Sequence, residues 1–298
     1  MAPLNLREET MEEVIYWLRT LEQLALVVYR EAAEQMSDDQ EFASFLLRMS
    51  EDEELHYILL GKAEDHLMKT RASPRLAIKF DAAIKDELKI PLEDLHRTII
   101  QRKMSRQEVL DRIVKIEFSE WNYIFVYVFN VLQKSSKIFQ YAAANIQAHK
   151  ERIIKFTENL PPALKDHRSL QGLPSIWEHK ILIVENEATD RELLSGILNK
   201  FGKIEKAVNG QAGLEKIKES FFNVVISGAG SPGMSGIEFY QKATELEPQL
   251  SRRFLFCADN IVGEVKDFLR ENHLPYLEKP FGIKHLWRLV ESTIEKTL

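Results

Sequence analysis

Ile181-Leu182-Ile183-Val184, running into Glu185-Asn186-Glu187, is the stretch on which the reading of this chain turns. Four consecutive aliphatic residues that end in acids describe a strand buried on both faces, and such strands belong to parallel sheets covered by helices. The pattern returns in Val224-Val225-Ile226 and Phe254-Leu255-Phe256, and the intervening stretches carry apolar residues at helical spacing. Strands over 180–185, 203–208, 223–227, 252–258 and 275–279 thus alternate with helices near 189–201, 210–219, 235–246, 262–271 and 283–297. The expectation for residues 179–298 is a five-stranded (βα)5 domain.

Upstream the period changes. Before residue 160 the apolar residues keep to helical spacing and predict four long helices, 8–36, 38–70, 105–133 and 136–159, with a smaller helical crossover between the second and third. Ser37 with Asp38 and Asp39 marks a helix start, and Ser105 with Glu108 has the spacing of a capping box. The long connection from Ser73 to Met104 lets the chain run the length of a four-helix bundle, up-down-down-up. Residues 161–178, with Pro161, Pro162, Gly172 and Pro174, read as a linker. The architecture expected is multidomain, α followed by α/β.

The inward stripes of the four helices contain groups that an apolar core does not tolerate alone. They read Leu18, Glu22, Ala25, Tyr29 on the first helix and Met49, Glu53, His56, Leu60 on the second. The third gives Ile113, Glu117, Glu120, Ile124, and the fourth gives Ala142, Ile146, His149, Ile153. A buried unpaired carboxylate costs several kcal/mol, so the cluster calls for protons, basic partners such as Arg112, His56 and His149, or metal. Glu53 and His56, at i and i+3, lie one turn apart on one face and can reach the same ion.

These residues carry a family resemblance. Glu22 with Tyr29, the turn Glu53-Glu54-Leu55-His56, and Glu117-Phe118-Ser119-Glu120-Trp121 resemble the ferritin-like di-iron proteins, rubrerythrin most closely, over roughly residues 8–160 of a domain expected at 1–160. The resemblance implies a metal site formed by Glu22, Glu53, His56, Glu117, Glu120 and His149. It implies one or two irons, with manganese or zinc as alternatives, and reactivity toward oxygen or peroxide. Ile146 stands where the family carries its last carboxylate, and no rubredoxin domain accompanies the bundle.

Residues 179–298 resemble a response-regulator receiver domain of the flavodoxin-like fold. The resemblance rests on Glu185-Asn186-Glu187 after the first strand, Pro232-Gly233-Met234-Ser235-Gly236 after the third, and Glu278-Lys279-Pro280-Phe281 at the fifth. Receivers accept a phosphoryl group on an Asp, with acids for Mg²⁺, a hydroxyl residue and a Lys around it, because the transferred group is charged. Here the acceptor position holds Gly228, Glu185 and Asn186 replace the acidic pair, and Cys257 replaces the hydroxyl residue; Tyr276 and Lys279 remain. The expectation is a pseudo-receiver without Mg²⁺-dependent phosphorylation, Lys279 pairing with Glu185. Ser227 as a substitute acceptor would need an activating base.

Composition sets the outer limits. A net charge of −6 supplies no broad basic field for nucleic acid, and no apolar run approaches the ~20 residues of a bilayer span. A single cysteine, Cys257, excludes an intramolecular disulfide framework and fits a reducing compartment, the cytoplasm. The expected function is phosphorelay-related signalling: the bundle senses iron, oxygen or peroxide, and the pseudo-receiver acts through a protein partner, the chain being a homodimer. The competing expectations are a rubrerythrin-like peroxidase or oxidase with a docking receiver, and a scaffold with both sites degenerate.

Overall fold

In a computed structural model the described residues are 10–71, 80–102, 104–119, 122–158, 175–230, 233–259 and 261–296. The chain divides into two compact units, Met1–Ile176 and Trp177–Leu298. No helix among the described residues is long and apolar enough to cross a membrane.

The first unit is helical: α1 (Met11–Gln35), α2 (Gln40–Thr70), α3 (Ala82–Ile100), α4 (Arg106–Glu117), α5 (Asn122–Leu132) and α6 (Lys137–Glu158). The caps are those the side chains dictate. Thr10 and Glu13 close a capping box on α1, Asp39 accepts from the Phe42 amide at the start of α2, and Ser105 with Glu108 closes a second box on α4. The single third helix expected over 105–133 is instead α4 and α5. The amides of Phe118 and Ser119 bond back to Val114 and Ile116, which tightens the last turn of α4 and ends it. Periodicity misses the break because Ile113 and Ile124, on either side of it, both face the core.

Apolar packing in this unit forms two clusters. One holds Leu18, Leu59, Leu60, Phe129 and Ile146; the other holds Ala25, Tyr29, Met49, Ile113 and Ile153. Each helix that passes from one cluster to the other places its polar residues in between. Glu22 falls between Leu18 and Ala25 on α1, Glu53 and His56 between Met49 and Leu59 on α2, and His149 between Ile146 and Ile153 on α6. The acids therefore form one polar layer between two dry ones.

The second unit is a five-stranded parallel sheet in the order β2-β1-β3-β4-β5, a flavodoxin-like arrangement. Its strands are β1 (Lys180–Val184), β2 (Lys203–Ala207), β3 (Val224–Ser227), β4 (Phe254–Ala258) and β5 (Tyr276–Glu278). The helices are α7 (Ala188–Leu198), α8 (Gly210–Glu219), α9 (Gly236–Leu246), α10 (Gly263–Glu271) and α11 (Ile283–Lys296). All of β3 and β4 is buried, with Phe254 and Phe256 packed in one apolar cluster and Leu255 and Cys257 in the other. This is the two-sided burial that continuous apolar runs require. The strand order reverses between β1 and β3, and ligands of such sheets collect in the crevice beyond those strand ends. Glu185 and Gly228 stand there.

Candidate functional sites

In the helical unit five of the six expected ligands converge; Glu120 lies outside the described residues. Donor atoms of Glu22, Glu53 and His56 all lie within 4.8 Å of one another, and so do those of Glu53, Glu117 and His149. Glu53 is common to both groups. His56 Nδ1 stands 2.9 Å from Glu53 and 3.4 Å from Glu22, while His149 Nε2 stands 3.3 Å from Glu117 and 3.5 Å from Glu53. The side chains border a cavity of about 60 Å³, walled on its apolar side by Phe118, Phe125, Ile146, Ile153 and Ile176.

Burial sets the electrostatics. Burial, and then the charges of Glu22 and Glu117, push the Glu53 carboxyl well above the usual carboxylate range. Burial acts against Glu22 as well, but hydrogen bonds from Glu53 and His56 outweigh it and hold its pKa low. Of this hydrogen-bonded pair, Glu53 is thus held in the neutral form and Glu22 in the charged form. Burial disfavours the His149 imidazolium, yet the charge of Glu53 and hydrogen bonds to Asp52 and Glu117 raise its pKa to about 10. Tyr29 donates to Glu117, and burial together with that carboxylate keeps the phenol protonated.

Arg112 does not enter the cluster; it donates to Thr98. The cation nearby is Arg152, which pairs with Asp52, and Asp52 in turn accepts from His149 Nδ1 at 3.0 Å. Asp52 and Arg152 are the residues that sequence reasoning missed. A carboxylate behind a histidine fixes the ring and leaves its other nitrogen for a ligand. The buried atoms Glu53 Oε1 and His56 Nε2 have no hydrogen-bond partner among the described residues. A polar layer of carboxylates and imidazoles with orphaned donors fits a divalent ion of the iron, manganese or zinc type.

The pocket of the second unit is closed by its own residues. Lys279 Nζ stands 3.0 Å from Glu185 and 2.5 Å from Asp190, with Asp259 at 4.0 Å. Burial opposes the ammonium, but the hydrogen bonds to Asp190 and Glu185 more than offset it and raise the Lys279 pKa. Glu185 also accepts from the Glu187 amide, and Arg191 donates to its carbonyl. Asp190 and Asp259 were not anticipated; Asp190 is an acid in the first turn of α7, where it reads as a partner of the helix dipole.

At the acceptor position Gly228 donates its amide to Val184, and a Cβ built on it would lie 3.3 Å from Glu185 Oε2. Ser227 donates its hydroxyl to the Gly228 carbonyl. The Asn186 side chain turns to Glu187, Tyr276 is half-buried, and Cys257 is buried, its thiol pushed up to about 12 by desolvation.

Comparison with known proteins identifies the family of this sheet domain. The pattern of the response regulator receiver domain matches residues 181–291, and through these residues the chain belongs to that family. The response regulator receiver protein CpdR of Brucella abortus (strain 2308) is 29% identical over 118 residues, 39% of this chain and 96% of that protein. The probable chemotaxis protein CheY of Rhizobium etli is 30% identical over 119 residues, 38% of this chain and 90% of that one. Among solved structures, the chemotaxis response regulator CheY4 of Vibrio cholerae is 26% identical, covers 39% of this chain and 99% of its own, and has a TM-score of 0.36.

Proposed function

We propose that this response-regulator-like protein signals without phosphoryl transfer, and that its helical unit is a ferritin-like, rubrerythrin-like bundle that senses iron, oxygen or peroxide at a carboxylate–histidine site. The observation that carries the proposal is the position of Glu53, shared by the two ligand groups Glu22–Glu53–His56 and Glu53–Glu117–His149. Glu22, Glu53 and His56 would hold one ion, and Glu53, Glu117 and His149 would hold a second. Iron, when bound, supplies one-electron chemistry toward oxygen or peroxide. Asp52, backed by Arg152, orients His149, and Tyr29 orients Glu117. Ile146 leaves one corner of the site apolar, which favours sensing over rapid turnover.

The receiver contributes a binding surface. Gly228 offers no nucleophilic oxygen, Ser227 is bonded to the backbone, and Lys279 is held by Glu185 and Asp190. Its output is a contact with a protein partner through α10, β5 and α11, in the cytoplasm, with the chain as a homodimer and no role for nucleic acid. The test is metal analysis of the full-length protein purified anaerobically. Iron, manganese or zinc is expected in the native protein, lost in Glu53→Ala and His56→Ala, and raised by Ile146→Glu. Metal content equal in the native chain and both folded alanine variants would refute the site.

A further inference from the structure

The helical unit carries a second concavity, a groove of about 390 Å³ between α3 and α4 that shares no lining residue with the carboxylate–histidine cavity. Helical period builds its two sides. On α3, Leu88, Leu92, Leu95 and Ile99 are buried, and Glu87, Pro91 and Asp94, at i, i+4 and i+7, form the neighbouring stripe that borders the groove. On α4, Val109, Ile113 and Val114 are buried, and Arg112 and Lys115 border the groove with Ser119 just beyond the helix end. Leu88, Ile90 and Ile116 add apolar surface.

One side thus carries two acids and the other two cations, and the signs do not close on each other. Asp94 pairs with Arg97 of its own helix at 3.2 Å, Arg112 donates to the Thr98 hydroxyl at 3.3 Å, and no ion pair among the described residues spans the groove. Two further polar groups are left over. Ser119 Oγ is buried without a hydrogen-bond partner among the described residues. Pro91 lies inside α3 and has no N–H, so the Glu87 carbonyl lacks the donor that a helix interior normally supplies. Buried polar groups are normally paired, and ligand sites are apolar concavities of roughly 300–1,000 Å³ in which a few polar groups fix orientation. A guest that satisfies this groove brings an ammonium for Glu87, Asp94 and the Glu87 carbonyl, a carboxylate for Arg112, Lys115 and Ser119, and an apolar body. A plain anion leaves the acids unmet, and a plain amine leaves the cations unmet. We infer that the α3–α4 groove binds an apolar α-amino acid as its zwitterion, ammonium toward α3 and carboxylate toward α4.

The test is isothermal titration calorimetry on the full-length chain with L-phenylalanine as the probe. Its comparators are 3-phenylpropanoate, which lacks the ammonium, 2-phenylethylamine, which lacks the carboxylate, and glycine, which lacks the apolar body. L-Phenylalanine is expected to saturate one site per chain with a Kd of ~1 mM or tighter, and each comparator to bind at least about 10-fold more weakly, the factor that one hydrogen bond to a charged group supplies. Lys115→Gln and Ser119→Ala should weaken L-phenylalanine and 3-phenylpropanoate and leave 2-phenylethylamine unchanged. Pro91→Ala restores the helical amide and, alanine being favoured over proline in a helix interior, should fold at least as well as the native chain. It should weaken L-phenylalanine and 2-phenylethylamine and leave 3-phenylpropanoate unchanged. No saturable binding of L-phenylalanine, equally tight binding of 3-phenylpropanoate, or native affinity in all three variants overturns the assignment.

Discussion

The helical cavity and the receiver crevice both bury carboxylates, and they neutralise them differently. In the receiver, Glu185 and Asp190 close on Lys279, and the pocket is complete with protein atoms alone. In the helical unit, Glu22, Glu53 and Glu117 stand against His56, His149 and Tyr29, while Arg152 pairs with Asp52 behind them. The first arrangement is an ion pair between Lys279 and two acids of its own domain. The second leaves two buried atoms, Glu53 Oε1 and His56 Nε2, without a hydrogen-bond partner among the described residues, and the proposed cation site rests on them.

The largest expected effect breaks the receiver side of this contrast. Lys279→Ala leaves Glu185 buried without its cation, and removing one partner of a buried pair costs about 3 to 5 kcal/mol. Urea unfolding followed by far-UV circular dichroism should show the loss; a change under about 1 kcal/mol would mean that Lys279 is not the counter-ion.

Glutamine at the two key acids sharpens the contrast directly. Glu185→Gln weakens charge-assisted bonds and should cost roughly 1.5 to 3 kcal/mol. Glu53→Gln resembles the protonated form that burial already favours in the metal-free protein, so it should leave the metal-free stability within about 1 kcal/mol of native or raise it. Equal losses for the two variants in thermal unfolding would erase the distinction.

Cys257 provides a third test, with a pH dependence. Its thiol pKa is about 12 in the fold against 9.0 for the free group, so native labelling by a thiolate-selective reagent near pH 8 should be suppressed about a thousand-fold, and burial adds to that. Since the folded pKa is the higher one, this residue's contribution to stability is intact below pH 9 and is lost as the pH rises toward 12. Rapid native labelling at pH 8 would contradict the buried placement.

Much of this was legible in the sequence, and the exceptions share a cause. β1, β3 and β4 were readable because both of their faces are buried, so unbroken apolar runs can mean little else. Glu22, Glu53, His56 and His149 were readable because each interrupts a helical stripe. Asp52 was not, since Glu51-Asp52-Glu53-Glu54 looks like a solvated acidic run, and its burial depends on His149 and Arg152 from another helix. Asp190 was hidden likewise, its role set by Lys279 far along the chain. The break between α4 and α5 escaped because it falls in phase with the helical period. Local pattern reveals which face a residue takes and not which distant side chain it meets there.

The smallest expected effect is no effect at all. A small phosphodonor with Mg²⁺ should leave residues 180–298 unmodified by intact-mass analysis, and Gly228→Asp alone should not restore the reaction. The new side chain would begin 3.3 Å from Glu185 Oε2, with Asn186 and Cys257 still in place of the residues that hold metal and phosphate. A stoichiometric acid-labile adduct on the native chain would show that the receiver is active.

The contrast between the two regions is tested most directly by anaerobic titration of the full-length protein with Fe²⁺, compared across the native chain, Glu53→Gln and Glu185→Gln. One or two ions per chain should bind the native protein and Glu185→Gln alike, and Glu53→Gln should bind none. Binding that persists in Glu53→Gln and disappears in Glu185→Gln would place the cation site in the receiver and contradict the account.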